Sequence, residues 1–238
     1  MNEPIPLILS WSGGKDSGLA LHALKRDPRY RLRGLLTSVN RDYGRISMHG
    51  VRETLLDCQA DAIGLPLHKV WLSARSSNEE YETAMAAQLE MFKQQGIHHM
   101  AFGDLFLEDI RRYREAQLAR AGMEAVFPLW LKPTPALARE FIESGFGATL
   151  CCVDGEKLGP EYAGREFDSV LLGDLPAGVD PCGENGEFHT FVHRSPDFSA
   201  SVRCILGERV TREGRFHYCD LLPEPEDQPV RQTRSEAV

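Results

Sequence analysis

Short apolar runs alternate with segments of helical period through the first half of the chain. Pro6–Trp11 reads as a strand, followed by a glycine-containing turn and a helix from about Asp16 to Lys25. Leu32–Val39 is a second strand. Val51–Ile63 carries Val51, Leu55, Cys58 and Ala62 at helical spacing and closes on Gly64-Leu65-Pro66. Leu67–Leu72 is a third strand, Asn78–Gln95 a long amphipathic helix, His99–Gly103 a fourth strand and Leu107–Ala121 another helix. Along the long helix Tyr81, Met85, Leu89 and Phe92 recur at three- and four-residue intervals, which is core packing. Strands that alternate with helices in this way predict a mainly parallel sheet covered on both faces. Ligands of such sheets bind beyond the carboxyl ends of the strands. That directs attention to the residues after Trp11, Val39 and Phe102.

Beyond about Val126 the pattern changes. Phe127–Trp130 reads as a short strand, and Thr134-Pro135 opens a helix to about Ser144 with threonine as cap. Ala148–Val153, Val170–Leu172, Phe188–Val192, Ser201–Leu206 and Arg215–Cys219 read mostly as strands between glycine turns. The expectation is an α/β chain in which a parallel-sheet domain over 1–125 precedes a smaller α+β domain over 126–222. The tail over 223–238 is rich in proline and charge and is expected to be disordered.

Composition narrows the setting. The 238 residues carry 27 Lys+Arg and 35 Asp+Glu, a formal charge of −8, which argues against indiscriminate binding to nucleic acid. No run approaches the roughly 18 apolar residues of a membrane span, and Met1–Pro4 lacks the cationic lead of a secretory signal. The six cysteines form no CxxC pair and no disulfide-framework spacing, which suits free core thiols in a cytoplasmic protein. Cys182, His189 and His193 lack the paired spacing of a zinc site.

The sharpest chemical feature is Ser10-Trp11-Ser12-Gly13-Gly14-Lys15-Asp16-Ser17, between the first strand and the first helix. Two glycines let the backbone turn tightly and bring N–H groups close to a ligand. The following helix adds free N–H groups and a positive dipole end, which makes an anion site. Ser12 and Ser17 add hydroxyls, Lys15 a charge, and Asp16 a carboxylate able to hold a cation that accompanies the anion. Phosphate fits that chemistry. The ordinary P-loop is excluded, because Leu9 and Asp16 occupy its glycine and hydroxyl positions.

Ser12–Ser17 instead resembles the SGGKDS pyrophosphate loop of the N-type ATP pyrophosphatases, the PP-loop or adenine nucleotide alpha hydrolase-like superfamily, matching it residue for residue. Phe102-Gly103-Asp104 through Arg111-Arg112, continuing to Phe127-Pro128-Leu129-Trp130, is similar to the diphthine–ammonia ligase family. Gly183-Glu184-Asn185-Gly186-Glu187-Phe188-His189-Thr190 resembles that family's second-domain Gly-Glu-x-Gly-Glu-Tyr-Glu-Thr signature, with Phe188 and His189 in place of Tyr and Glu.

The resemblance implies a Rossmann-like, HUP-type domain followed by a smaller domain, with the active site between them. It implies an ATP-dependent ligase that adenylates a carboxylate, releases pyrophosphate and amidates the acyl-adenylate with ammonia. The acceptor would be a carboxylate-bearing substrate such as diphthine on elongation factor 2. Free ammonia is the expected donor, since no glutaminase domain is visible. The nucleotide is expected on Ser10, Ser12–Ser17, Thr37, Ser38 and Gly103, with Mg²⁺ on Asp16. Lys15, Asp16, Asp104, Glu187 and His189 are the expected catalytic residues, and His49, Arg111, Glu184, Glu187 and His189 the substrate contacts. A PP-loop enzyme that modifies tRNA is one alternative, although the net charge and absent CxxC count against it. A nucleotide-binding regulator without catalysis is the other.

Overall fold

The computed structural model describes residues 3–46, 50–73 and 75–224. Its first strand, β1 (Ile5–Ser10), explains the two-layered packing around it. Leu7 and Leu9 face one hydrophobic cluster and Ile8 faces another, because successive strand residues point to opposite sides of the sheet. After β1 come α1 (Lys15–Arg26), β2 (Tyr30–Asn40), β3 (Arg45–Ile46), α2 (Glu53–Ile63) and β4 (Leu67–Leu72). Then follow α3 (Asn78–Gln94), β5 (His99–Ala101), α4 (Glu108–Arg120) and β6 (Glu124–Val126). The parallel strands lie in the order β4-β2-β1-β5-β6, and β3 pairs antiparallel with the end of β2. The chain winds outward from β1 through β2 to β4, then returns to the other side for β5. The switch point, where a ligand crevice opens, therefore lies beyond the carboxyl ends of β1 and β5.

The second sheet is antiparallel in the order β8-β7-β10-β9, built from β7 (Gly147–Asp154), β8 (Phe188–Arg194), β9 (Cys204–Arg212) and β10 (Phe216–Pro223). Every residue of β7 is buried. Helix α5 (Thr134–Glu143) and helix α6 (Ser169–Asp174) accompany it. The α/β plan of a parallel-sheet domain followed by a smaller α+β unit is the one observed.

Several local expectations are corrected. Phe127–Trp130 is a turn, and the strand there is β6. Val170–Leu172 lies in α6, because the Asp168 carboxylate accepts from Leu171 N–H at 2.8 Å and caps a helix. The expected strand Ser201–Leu206 begins later, at Cys204, and runs on to Arg212. Thr134 is not the cap of α5: Pro133 holds that position, and the Thr134 hydroxyl donates to Asp180 at 2.6 Å. On α2, Cys58 is exposed and Gln59 takes the buried place. None of the six cysteines is in a disulfide. The expected tail disorder concerns residues that, from 225 onward, lie outside those described.

The two sheets share one core. Leu19 and Leu21 of α1, Phe141 of α5, Ala148 and Leu150 of β7 and Phe191 of β8 belong to a single cluster with Leu7 and Leu9. A second tie is ionic. Asp220 of β10 accepts from Arg45 at 2.8 Å and from Arg52 at 2.6 Å, and both arginines belong to the first sheet's segment. Burial opposes its charge, but the two guanidinium hydrogen bonds outweigh that and hold its carboxyl down at about 2. A depressed carboxylate pKa stabilises the fold above its unfolded value near 4, and that contribution is lost as pH falls toward 2. Asp220→Asn is therefore expected to cost about 2 kcal/mol at pH 7. Urea unfolding should show this gap closing between about pH 4 and pH 2; a gap that does not change with pH would contradict the assignment.

Candidate functional site

The phosphate-type loop stands where the topology predicts, between β1 and α1. Gly14 is the α1 N-cap and supplies no side chain, so the helix's first donors are left to other partners. One of those partners comes from the second domain: Lys15 N–H donates to the Thr190 hydroxyl of β8 at 3.0 Å. Val192 N–H, also of β8, donates to the Gly13 carbonyl at 2.8 Å. Gly13 has φ +78°, a conformation that L side chains rarely adopt. Ser12 Oγ accepts from Gly14 N–H at 3.3 Å and lies 3.3 Å from Ser17 Oγ, while the Ser17 hydroxyl donates to the Gly14 carbonyl.

Lys15 is 3% exposed. Its ammonium donates to Asp16 Oδ2 at 2.9 Å and sits 5.4 Å from the centre of the Phe188 ring, on the second domain. Burial disfavours that charge, yet the adjoining Asp16 carboxylate prevails and keeps Lys15 protonated. Asp16 Oδ1 is buried and, among the described residues, is the single buried side-chain N or O atom without a hydrogen-bond partner. A buried carboxylate oxygen left in that state has a lone pair available to a ligand or cation.

Gly103 follows β5, and a Cβ there would fall 2.9 Å from the backbone carbonyl carbon and oxygen of Asp16. Glycine is thus required for the close approach of the loop after β5 to the first turn of α1. Next to it Asp104 forms a two-bond pair with Arg114, at 2.6 and 3.2 Å. Leu105 N–H donates to Glu184 Oε1 at 2.9 Å, which brings the second domain's Gly-Glu segment against the end of β5. Burial pushes the Glu184 carboxyl up to about 7; the Leu105 N–H works against that shift and the charge of Asp16 adds to it.

The Gly-Glu segment is held from within. Glu187, 2% exposed, accepts from Asp180 N–H at 3.0 Å, Asn185 N–H at 2.9 Å and the Asn185 side chain at 3.1 Å. Asp180 in turn accepts from Cys182 N–H and Glu184 N–H. His189 lies in β8, its imidazole pushed down to about 4 by burial and secondarily by Lys15. It is neutral at pH 7.

Of the residues singled out in the sequence, Ser12–Ser17, Gly103, Asp104, Glu184, His189 and Thr190 meet at this seam, while Glu187 stays within the Gly-Glu segment. Ser10 ends β1 and lines a groove of about 380 Å³ that opens between α3 and α4 against Tyr81, Met85, Phe102 and Arg114. Tyr81 and Met85, expected as core, line this groove. Thr37 and Ser38 are inside β2, paired with Lys69 and Val70 of β4. Arg111 is engaged elsewhere: it pairs with Glu115 at 2.7 Å and lies over Phe127 and Trp130 at 5.0 and 4.7 Å. His49 lies outside the described residues. Sequence reasoning missed Gln59 and Asp180. Gln59 left one signal, a polar residue in an otherwise apolar helical stripe; Asp180 left none beyond its place two residues before Cys182.

Residues 6–125 match the model of the diphthamide synthase N-terminal domain, and residues 133–220 match that of the diphthamide synthase C-terminal domain. The chain is 28% identical over 163 residues to the diphthine–ammonia ligase of Danio rerio, covering 62% of this chain and 64% of that protein. It is 26% identical over 163 residues to the human diphthine–ammonia ligase, covering 62% and 61% respectively. It is 27% identical over 171 residues to that of Rattus norvegicus, covering 65% and 64%. The chain thus spans less than two thirds of the length of these relatives.

The charge state of His189 offers a direct check on the seam. Its ring proton resonances are expected to titrate near pH 4, and Lys15→Met should move that value upward by removing the neighbouring cation. Titration near the ordinary histidine value of about 6.5 in the unaltered protein would contradict this packing.

Proposed function

The chain belongs to the diphthamide synthase family, and from that membership and the seam geometry we propose that it is an ATP-dependent ligase that adenylates a carboxylate and amidates it with ammonia. The observation that carries the reading is the convergence on Lys15 of residues from both domains: Asp16 and the phosphate-type loop on one side, Phe188, Thr190, His189 and Glu184 on the other. An anion cradle and a carboxyl whose pKa is raised to about 7 lie at the same seam between the two sheets.

The triphosphate lies on Ser12–Ser17, where the α1 N-terminus and Lys15 favour negative charge. The nucleoside extends past Ser10 and Gly103 toward the groove beside Phe102. Lys15 exchanges its Asp16 partner for phosphate, since the ammonium is already within reach of the loop. The acceptor carboxylate attacks the α-phosphorus, forming a C–O–P linkage as the bond to the pyrophosphate oxygen breaks. Lys15 and the loop N–H groups stabilise the charge that gathers on the departing pyrophosphate. Ammonia then attacks the acyl carbon and AMP leaves. The proton shed by nitrogen passes to Glu184, whose raised pKa suits it to accept and release protons near neutral pH.

Magnesium fits this chain as a nucleotide-borne ion. Asp16 Oδ1 offers one unpartnered buried oxygen, and among the described residues there is no group of three or more His, Cys, Asp or Glu placed to hold a metal. Mg²⁺ commonly binds through one or two carboxylates together with substrate phosphates and water. It would supply charge neutralisation of the phosphates. Asp104, tied to Arg114, orients the loop after β5, and Glu187 braces the Gly-Glu segment; both act by position. The relatives' name makes diphthine on a protein the acceptor to test first, with His189 as a neutral neighbour of Lys15.

Lys15→Ala and Asp16→Asn are each expected to lower carboxylate-dependent ATP–pyrophosphate exchange by about 100-fold or more. Exchange at the unaltered rate in either variant would overturn the mechanism.

A further inference from the structure

Gln59 is fully buried on α2, and its carboxamide makes three hydrogen bonds. Oε1 accepts from the Trp11 indole N–H at 2.9 Å. Nε2 donates to the Gly13 carbonyl at 3.0 Å and to the Val192 carbonyl at 2.6 Å. The partners fix which way the amide faces: an indole nitrogen only donates and a carbonyl only accepts, so the reversed amide would set donor against donor and acceptor against acceptor. A buried polar side chain on a helix otherwise lined by Leu55, Leu56, Ala60 and Ile63 is costly unless satisfied. Its partners belong to the phosphate-type loop, to the residue just before it and to the second-domain strand that touches it.

The consequence runs through one peptide plane. The Gly13 carbonyl accepts from Gln59 and from Val192 N–H, so both its lone pairs are engaged. A trans peptide points its N–H opposite its carbonyl. Gly14 N–H is thereby aimed away from the Gln59 amide and from Val192, and donates to the Ser12 hydroxyl within the loop at 3.3 Å. Gly13 itself is constrained by the same contact, because a Cβ there would come 2.8 Å from Gln59 Oε1.

We propose that Gln59 is a positioning residue for the phosphate loop, fixing the Gly13–Gly14 peptide so that its N–H faces the nucleotide's phosphates and locking that orientation to β8 of the second domain. The inference rests on the ATP reading above and extends it to a residue that never touches the ligand. Without Gln59 the peptide loses one of the two donors that fix its carbonyl and is held less firmly, and the cost falls on the phosphates rather than on the nucleoside.

The test compares ATP with adenosine by calorimetric titration of the full chain. Gln59→Leu is expected to weaken ATP binding by about tenfold or more while adenosine affinity stays within about twofold. Gln59→Met, closer in shape, serves as the second variant should Gln59→Leu not fold, with the same selective loss expected. Trp11→Phe, which leaves both amide donors of Gln59 in place, should lose less ATP affinity than either. An unchanged ATP-to-adenosine preference in a folded Gln59 variant would overturn the proposal. So would a parallel fall of both affinities together with the melting temperature, the signature of a purely structural role. Unaltered protein that binds adenosine but not ATP would overturn the ATP reading itself, and this inference with it.

Discussion

The Gly13 carbonyl accepts from Val192 N–H of the second domain and from the buried Gln59 amide, and these two bonds hold the Ser12–Ser17 loop from outside. A glycine-rich loop by itself samples many conformations, since glycine pays the largest entropic cost on ordering. Here the ordering is supplied from outside the loop. β8 contributes the Thr190 hydroxyl to Lys15 N–H as well as Val192 N–H to Gly13, so the strand that carries Phe188 and His189 also sets the cradle. Both domains contribute residues to the candidate site.

The shared core follows from the same requirement. Domains joined by a small polar interface are expected to move relative to one another. These two are joined by one continuous hydrophobic cluster and by the Arg45–Asp220–Arg52 link. Glu184 adds a further tie by accepting from Leu105 N–H, directly after the β5 loop that packs on Asp16. The proposed chemistry needs this arrangement: pyrophosphate departs from a loop in one domain while the acyl carbon meets ammonia beside a carboxyl of the other.

Much of the first domain was legible in the sequence because its signals are local. The strand after Gly64-Leu65-Pro66 was read at Leu67–Leu72, the bounds of β4, since an apolar run of that length between turn residues has few other readings. Ser12–Ser17 was legible for a different reason, a dense cluster of donors at a strand–helix junction. The failures have physical causes. Val170–Leu172 looks like a strand by composition, but Asp168 caps it as a helix, a hydrogen bond that hydropathy does not report. Thr134 has the type and place of an N-cap, yet Asp180, 46 residues away, takes its hydroxyl. The resemblance implies substrate contacts at Glu187 and Arg111, and the structure shows the partners these side chains have. Their side chains are committed to Asp180 and Asn185 in one case and to Glu115, Phe127 and Trp130 in the other. Gln59 was missed since its meaning depends on three partners that come together only on folding.

A crystal structure with a non-hydrolysable ATP analogue and Mg²⁺ tests the shared cradle most directly. The account predicts the phosphates at the α1 N-terminus, Gly14 N–H turned toward them with the Gly13 carbonyl still on Val192 and Gln59, and the Lys15 ammonium drawn from Asp16 to phosphate. A triphosphate bound away from Ser12–Ser17, or bound there with the Gly13 peptide flipped and the Lys15–Asp16 pair intact, would contradict it.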